Sequence, residues 1–163
     1  MRKRWLVLVA GILASDVHAA PSMQATPAPA PSPAASPRPV GGKDPVLWSA
    51  TDIQWTDVPE SKGLKQAILW GDPATRGYGA LNRWPAGFQQ PLHHHTFDVK
   101  ALVLAGTLVM ALEGAAAKEF PPGSYVMLPG RLKHTTGCKA GAECVFFAEQ
   151  SLRYDMAVAE PAK

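Results

Sequence analysis

Beyond Gly41 no stretch of this chain sustains a helical period, because every apolar run is short and is cut within a few residues by glycine or proline. That pattern admits strands far more readily than helices. Strands are predicted over 65–70, 79–84, 99–105, 107–112, 124–128, 132–136 and 144–148. Short segments recurring at roughly 8 to 12-residue spacing indicate an antiparallel sandwich or barrel. The best short helical candidates lie near the two ends, and no solenoid repeat is visible. An all-β domain over 41–163 is therefore expected.

The residues before it read differently. Met1 to Arg4 is basic, Trp5 to Ala14 is apolar, and Val17-His18-Ala19 has the small-residue form of a cleavage site, so residues 1–19 are read as a signal peptide. Ten apolar residues are too few to cross a hydrocarbon core of about 30 Å as a helix, so no stable membrane anchor is expected after cleavage. Seven of the 16 prolines fall in 20–40, among alanine and serine. Such a segment cannot bury enough apolar surface to offset its ordering entropy and is expected to be a disordered linker, extended by its prolines. The mature protein is expected in the periplasm or outside the cell.

Charge excludes one class of partner. The 16 Lys and Arg against 13 Asp and Glu fall to 13 against 12 once Arg2, Lys3, Arg4 and Asp16 leave with the signal, and no basic stripe follows Arg4. No nucleic-acid partner is expected.

The histidines carry the functional signal. Four remain after the signal: His93, His94, His95 and His134. On an extended strand alternate side chains share a face, so His93 and His95 point one way and His94 the other. Two imidazoles on one face and a third from a distant strand can make a metal site. A bare His-x-His is as often structural.

The residues around them resemble the cupin superfamily. Its first motif is a glycine, five residues, His-x-His, three or four residues, a glutamate, then a glycine after about six more. Gly87, His93, His95 and Gly106 match it, and the glutamate is missing. In the second motif Gly123, Pro129 and His134 match, while Arg131 replaces a glycine and Cys138 an asparagine. Leu69-Trp70-Gly71-Asp72-Pro73, Pro85-Ala86-Gly87, His95-Thr96-Phe97-Asp98 and Pro122-Gly123-Ser124-Tyr125 resemble an uncharacterised bacterial cupin branch with a domain of unknown function. The resemblance implies a single antiparallel jelly-roll barrel, open at one end to a small-molecule ligand or substrate. It also implies a divalent transition metal held by His93, His95 and His134.

Lys100 stands at the glutamate position if four residues follow His95, and Val99 if three do. Asp98 shares a strand face with Lys100 and either neutralises it or reaches the metal. Lys100 and Asp98 are thus the candidate catalytic groups, Lys100 as a base or an anion clamp; the competing reading is a surface ion pair. Three neutral imidazoles suit Fe, Mn, Zn, Ni or Cu without choosing among them. Cys138 and Cys144 bracket a turn-like spacer and in an exported protein are expected to form a disulfide; the alternative puts Cys138 in the cavity. Trp70, Trp84, Tyr125, Phe146 and Phe147 are either cavity lining or core. Two function classes follow: a metal-dependent enzyme on a small molecule, such as a dioxygenase, an isomerase or a hydrolase, and a non-catalytic binding or sensing cupin with a degenerate or empty site. A sheet edge makes a homodimer reasonable.

Overall fold

Strand alternation organises the domain. The computed structural model describes residues 45–59, 61 and 63–160, so the expected signal peptide and linker lie outside the described residues. Eleven strands follow one another: β1 (Thr56–Asp57), β2 (Lys65–Gly71), β3 (Tyr78–Trp84), β4 (His93–His94), β5 (Val99–Ala105), β6 (Leu108–Leu112), β7 (Lys118–Phe120), β8 (Tyr125–Leu128), β9 (His134–Cys138), β10 (Cys144–Gln150) and β11 (Ala157–Val158). They form two antiparallel sheets, ordered β1-β2-β3-β10-β5-β8 and β11-β4-β9-β6-β7. No helix occurs among the described residues. The expected helical candidates near the ends are instead extended chain and short strands.

The inward face of each long strand changes character along its length. On β10 it runs Cys144, Phe146, Ala148, Gln150, and these pair with Trp84, Asn82, Ala80 and Tyr78 of β3. On β9 it runs Cys138, Thr136, His134, opposite Leu108, Met110 and Leu112 of β6. One end is thus apolar and closed. Trp84 packs edge-on against Phe88 at 5.0 Å and Phe146 at 5.1 Å between ring centroids, with Val103, Leu108, Val126 and Leu128 in the same cluster. Edge-to-face stacking adds to the burial of these rings. At mid-sheet Ala148 has Ala80 on one side and Ala101 on the other. Side chains this small do not fill the space between the sheets, and a cavity of about 340 Å³ opens there.

Trp84 and Phe146 line that cavity as well as packing the core. Tyr125 is exposed, and Trp70 lies on the outer face, in a groove shared with Trp48, Trp55 and Arg83. Trp48 Nε1 donates to the Leu69 carbonyl at 3.1 Å, and the Arg83 guanidinium sits 4.3 Å from the Trp55 ring. The segment before β1 therefore covers the outside of β2 and β3.

Cys138 and Cys144 form a disulfide across the turn between β9 and β10. Gly106, the last glycine of the first motif, turns nearby at φ 69, and a Cβ there would run into the Glu143 carbonyl and Cys144. The disulfide closes a short loop, for which chain entropy gives about 2 kcal/mol. Thiol titration of the unreduced, unfolded protein is expected to find no free thiol. Reduction should lower stability by about that amount in a denaturant titration.

Candidate metal centre

Three histidines converge at the other end of the barrel. His93 pairs with His134 between β4 and β9, and His95 follows just beyond β4. One ring nitrogen from each of the three lies within 4.8 Å of the others. The His93 and His134 ring centroids are 4.3 Å apart, with His95 5.1 and 5.7 Å away. His94 points out of this group, as alternation requires, and does not line the cavity.

Each imidazole is oriented by a backbone carbonyl. His93 Nδ1 donates to the Pro91 carbonyl at 2.8 Å and His134 Nδ1 to the Leu132 carbonyl at 2.8 Å; His95 Nδ1 donates to the Asp155 carbonyl. A carbonyl only accepts, so Nδ1 carries the hydrogen in all three rings and Nε2 keeps its lone pair. Burial works in the same direction. It is the main cause that lowers the His93 pKa to about 4, and it also lowers those of His95 and His134. Three neutral rings, each with one nitrogen committed and one free, fit a divalent transition metal.

The C-terminal segment builds the wall beside them. β11 pairs with β4, the Ala159 N–H donates to the Leu92 carbonyl at 2.8 Å and the Tyr154 N–H to the Pro73 carbonyl at 2.7 Å. The Tyr154 ring lies 5.8 Å from that of His95. Asp155 Oδ1 accepts the Thr96 N–H at 2.8 Å, and that hydrogen bonding holds the Asp155 carboxyl below the usual range. Nothing in the sequence signalled this strap, because β4 and β11 are two residues each and form only against one another and β9.

Lys100 and Asp98 are not brought to the histidines, a departure from their expected catalytic placement. Val99 and Ala101 line the cavity, so alternation turns Lys100 outward. Lys100 Nζ bonds Glu149 Oε1 at 3.1 Å, and this bond is the first cause that raises the lysine pKa. Six residues separate Val99 from Gly106, which is the motif spacing, so the family glutamate position is Val99. The expected Lys100–Asp98 pair is replaced by Lys100–Glu149, since residues two apart on a strand are further from each other than cross-strand neighbours. Asp98 Oδ1 instead accepts the Gly130 N–H at 2.8 Å. It ties the loop after His95 to the turn before His134.

That turn holds the second motif's other departure. Arg131 adopts φ 66, the one non-glycine residue with positive φ among the described residues, and its N–H donates to the His95 carbonyl at 2.6 Å. A left-handed conformation costs a side-chain-bearing residue about 1–2 kcal/mol. The glycine of the family motif escapes that cost. The predicted strand over 132–136 begins later, at His134, because Leu132 N–H still bonds the Pro129 carbonyl.

The family model described as a domain of unknown function, DUF4437, matches residues 16–156. The chain belongs to the DUF4437 family. No curated protein matches it in sequence. Among solved structures it is similar to a cupin-like protein from Thermotoga maritima, with TM-score 0.53 and 15% identity over 61% of this chain and 78% of that one. It is also similar to the polyketide cyclase RemF from Streptomyces resistomycificus, with TM-score 0.59 and 20% identity over 72% and 87%. The DMSP lyase DddQ from Ruegeria pomeroyi has TM-score 0.55 and 18% identity over 69% of this chain and 64% of that one. At these identities the likeness shows the fold: this DUF4437 protein is a cupin-type jelly roll.

Two outcomes are expected here. Replacing Arg131 by Gly should raise stability by about 1 kcal/mol in a denaturant titration, less than the full strain because glycine frees the unfolded chain. The depressed histidines bind protons more readily when unfolded, so in chelator-treated protein their contribution is complete above about pH 6.5. It should be lost as pH falls from there towards 4. Thermal melts across that range should show the decline, and His93→Phe should flatten it.

Proposed function

We propose that this protein is an exported cupin that holds a divalent transition metal on His93, His95 and His134 and acts on a small molecule in the adjoining cavity. The observation that carries the reading is the shared tautomer of the three rings, in which carbonyls take every Nδ1, together with their grouping on the cavity wall, where one ring nitrogen from each lies within 4.8 Å of the others. Export is supported by the signal-like start and by the disulfide. When bound, the metal would supply Lewis acidity and open positions for a substrate oxygen or water. The chain's own residues orient the three imidazoles, exclude water with Trp84, Phe146, Leu128 and Met156, and set Tyr154 beside His95. Burial first, and then the Asp155 carboxylate, raise the Tyr154 pKa, so its phenol stays protonated and can donate a hydrogen bond to an oxygen at the site. The polyketide cyclase and the DMSP lyase of like fold are enzymes on small molecules, which supports the enzyme class without choosing a reaction.

One observation favours a second reading, a binding or sensing cupin. Val99 stands at the carboxylate position, and among the described residues the cavity wall holds no Asp, Glu, Lys or Arg to serve as a conventional acid or base. Turnover by metal-loaded protein against stoichiometric, unchanged release of the ligand separates the two.

Zinc or manganese at about 100 times its dissociation constant is expected to add roughly 2.7 kcal/mol of stability, removed by chelator. His134→Ala should abolish that response and His94→Ala should leave most of it, read by melts with and without metal. Survival of the response in the first variant together with its loss in the second would overturn the assignment.

A further inference from the structure

The cavity beside the three histidines has no charged side chain in its wall among the described residues. Val99, which lines it, stands where the family motif has a glutamate, and its cross-strand neighbours are Gln150 and Leu128, neither of which carries a charge. The other polar groups of the larger sheet are neutral too: Gln66 Nε2 donates to Asn82 Oδ1 at 2.9 Å, and Tyr78 is a phenol. The nearby carboxylates are committed elsewhere. Asp98 accepts the Gly130 N–H, Glu149 pairs with Lys100 and Asp155 accepts the Thr96 N–H, and none of the three lines the cavity. Two positive charges held on neutral imidazoles would therefore meet no protein charge of opposite sign, and a buried charge without a counter-ion is costly.

We propose that the ligand brings the missing charge: the cavity takes a small monocarboxylate with an apolar body, whose carboxylate stands in for the glutamate that Val99 replaces. This rests on the metal reading above and adds to it the class of ligand. Valine is shorter than glutamate and apolar, so it leaves both the space and the charge of that side chain unfilled. An ammonium is repelled by a divalent ion, and an alcohol leaves its charge uncompensated. Water offers a negative charge there only by losing a proton. The Tyr154 phenol beside His95 gives a carboxylate oxygen a hydrogen-bond donor. One charge suits the site better than two, because the wall beyond holds Phe146, Leu128 and Ala101 and no cation for a second carboxylate. The volume of about 340 Å³ stands near the lower end of ligand pockets, so the body is compact.

Benzoate, benzyl alcohol and benzylamine share one ring and differ in charge, so they test the proposal on the full mature chain. Binding is followed by NMR titration in zinc-loaded and in chelator-treated protein. With zinc bound, benzoate is expected to bind at least about tenfold more tightly than either other probe, and without zinc that preference should vanish. Linkage is reciprocal, so benzoate should raise the affinity for zinc by the factor by which zinc raises that for benzoate, read by chelator competition. Val99→Glu should keep zinc and weaken benzoate by about tenfold or more, whereas Val99→Gln, equal in size but uncharged, should weaken it less. A benzoate preference that is absent with zinc bound, that persists without zinc, or that falls equally in the two variants would overturn the proposal. If neither variant folds, the probe series and the chelator competition on the parent protein decide it. Zinc binding without a benzoate preference sinks the ligand class alone; a parent protein that takes up no zinc sinks the metal reading and the ligand class with it.

Discussion

Inside a closed barrel every polar atom needs a partner, and the three imidazoles meet that requirement with backbone carbonyls on one side only. Pro91, Leu132 and Asp155 each accept one Nδ1 hydrogen, so the opposite nitrogen of each ring keeps its lone pair in a group whose ring nitrogens come within 4.8 Å of one another. Two of these carbonyls belong to the residue two before the histidine they hold, which makes His93 and His134 locally determined. His95 is held from sixty residues away. The C-terminal strap is thus part of the site, and the turn bonds at Gly130 and Arg131 lock the remaining side of the same loop.

The gradient along the strands explains why a site can exist at one end without loosening the other. The disulfide, Trp84, Val103 and Leu108 close the lower core, where burial of large apolar side chains stabilises most per residue. The alanines at 80, 101 and 148 then keep the middle open. Apart from the Gln66–Asn82 pair, the polar groups of the cavity wall gather beyond them, where the cavity can hydrate or bind a ligand. Stability and function are separated by position along each strand, not by domain.

Much of this was legible in the sequence because it rests on local signals. Alternation and Gly/Pro punctuation gave β2, β3, β5, β6, β8 and β10 within a residue or two, and the cupin spacing led to the three histidines. The two-residue strands β1, β4 and β11 and the three-residue β7 were not legible, since segments so short have no period and form only by pairing. The register after His95 was ambiguous between Val99 and Lys100 for the same reason: residues 96–98 are a loop whose length counts only once Asp98 and Asp155 are seen to hold it. Gln150 escaped notice because a lone glutamine at the end of an apolar strand carries no motif.

X-ray absorption at the metal edge of zinc-loaded protein tests the central claim most directly. Three imidazole nitrogens at about 2.0–2.1 Å, with their outer-ring scattering and the balance made up by light oxygen atoms, are the expected result. A spectrum dominated by carboxylate oxygen or sulfur, or one with fewer than three imidazoles, would contradict it.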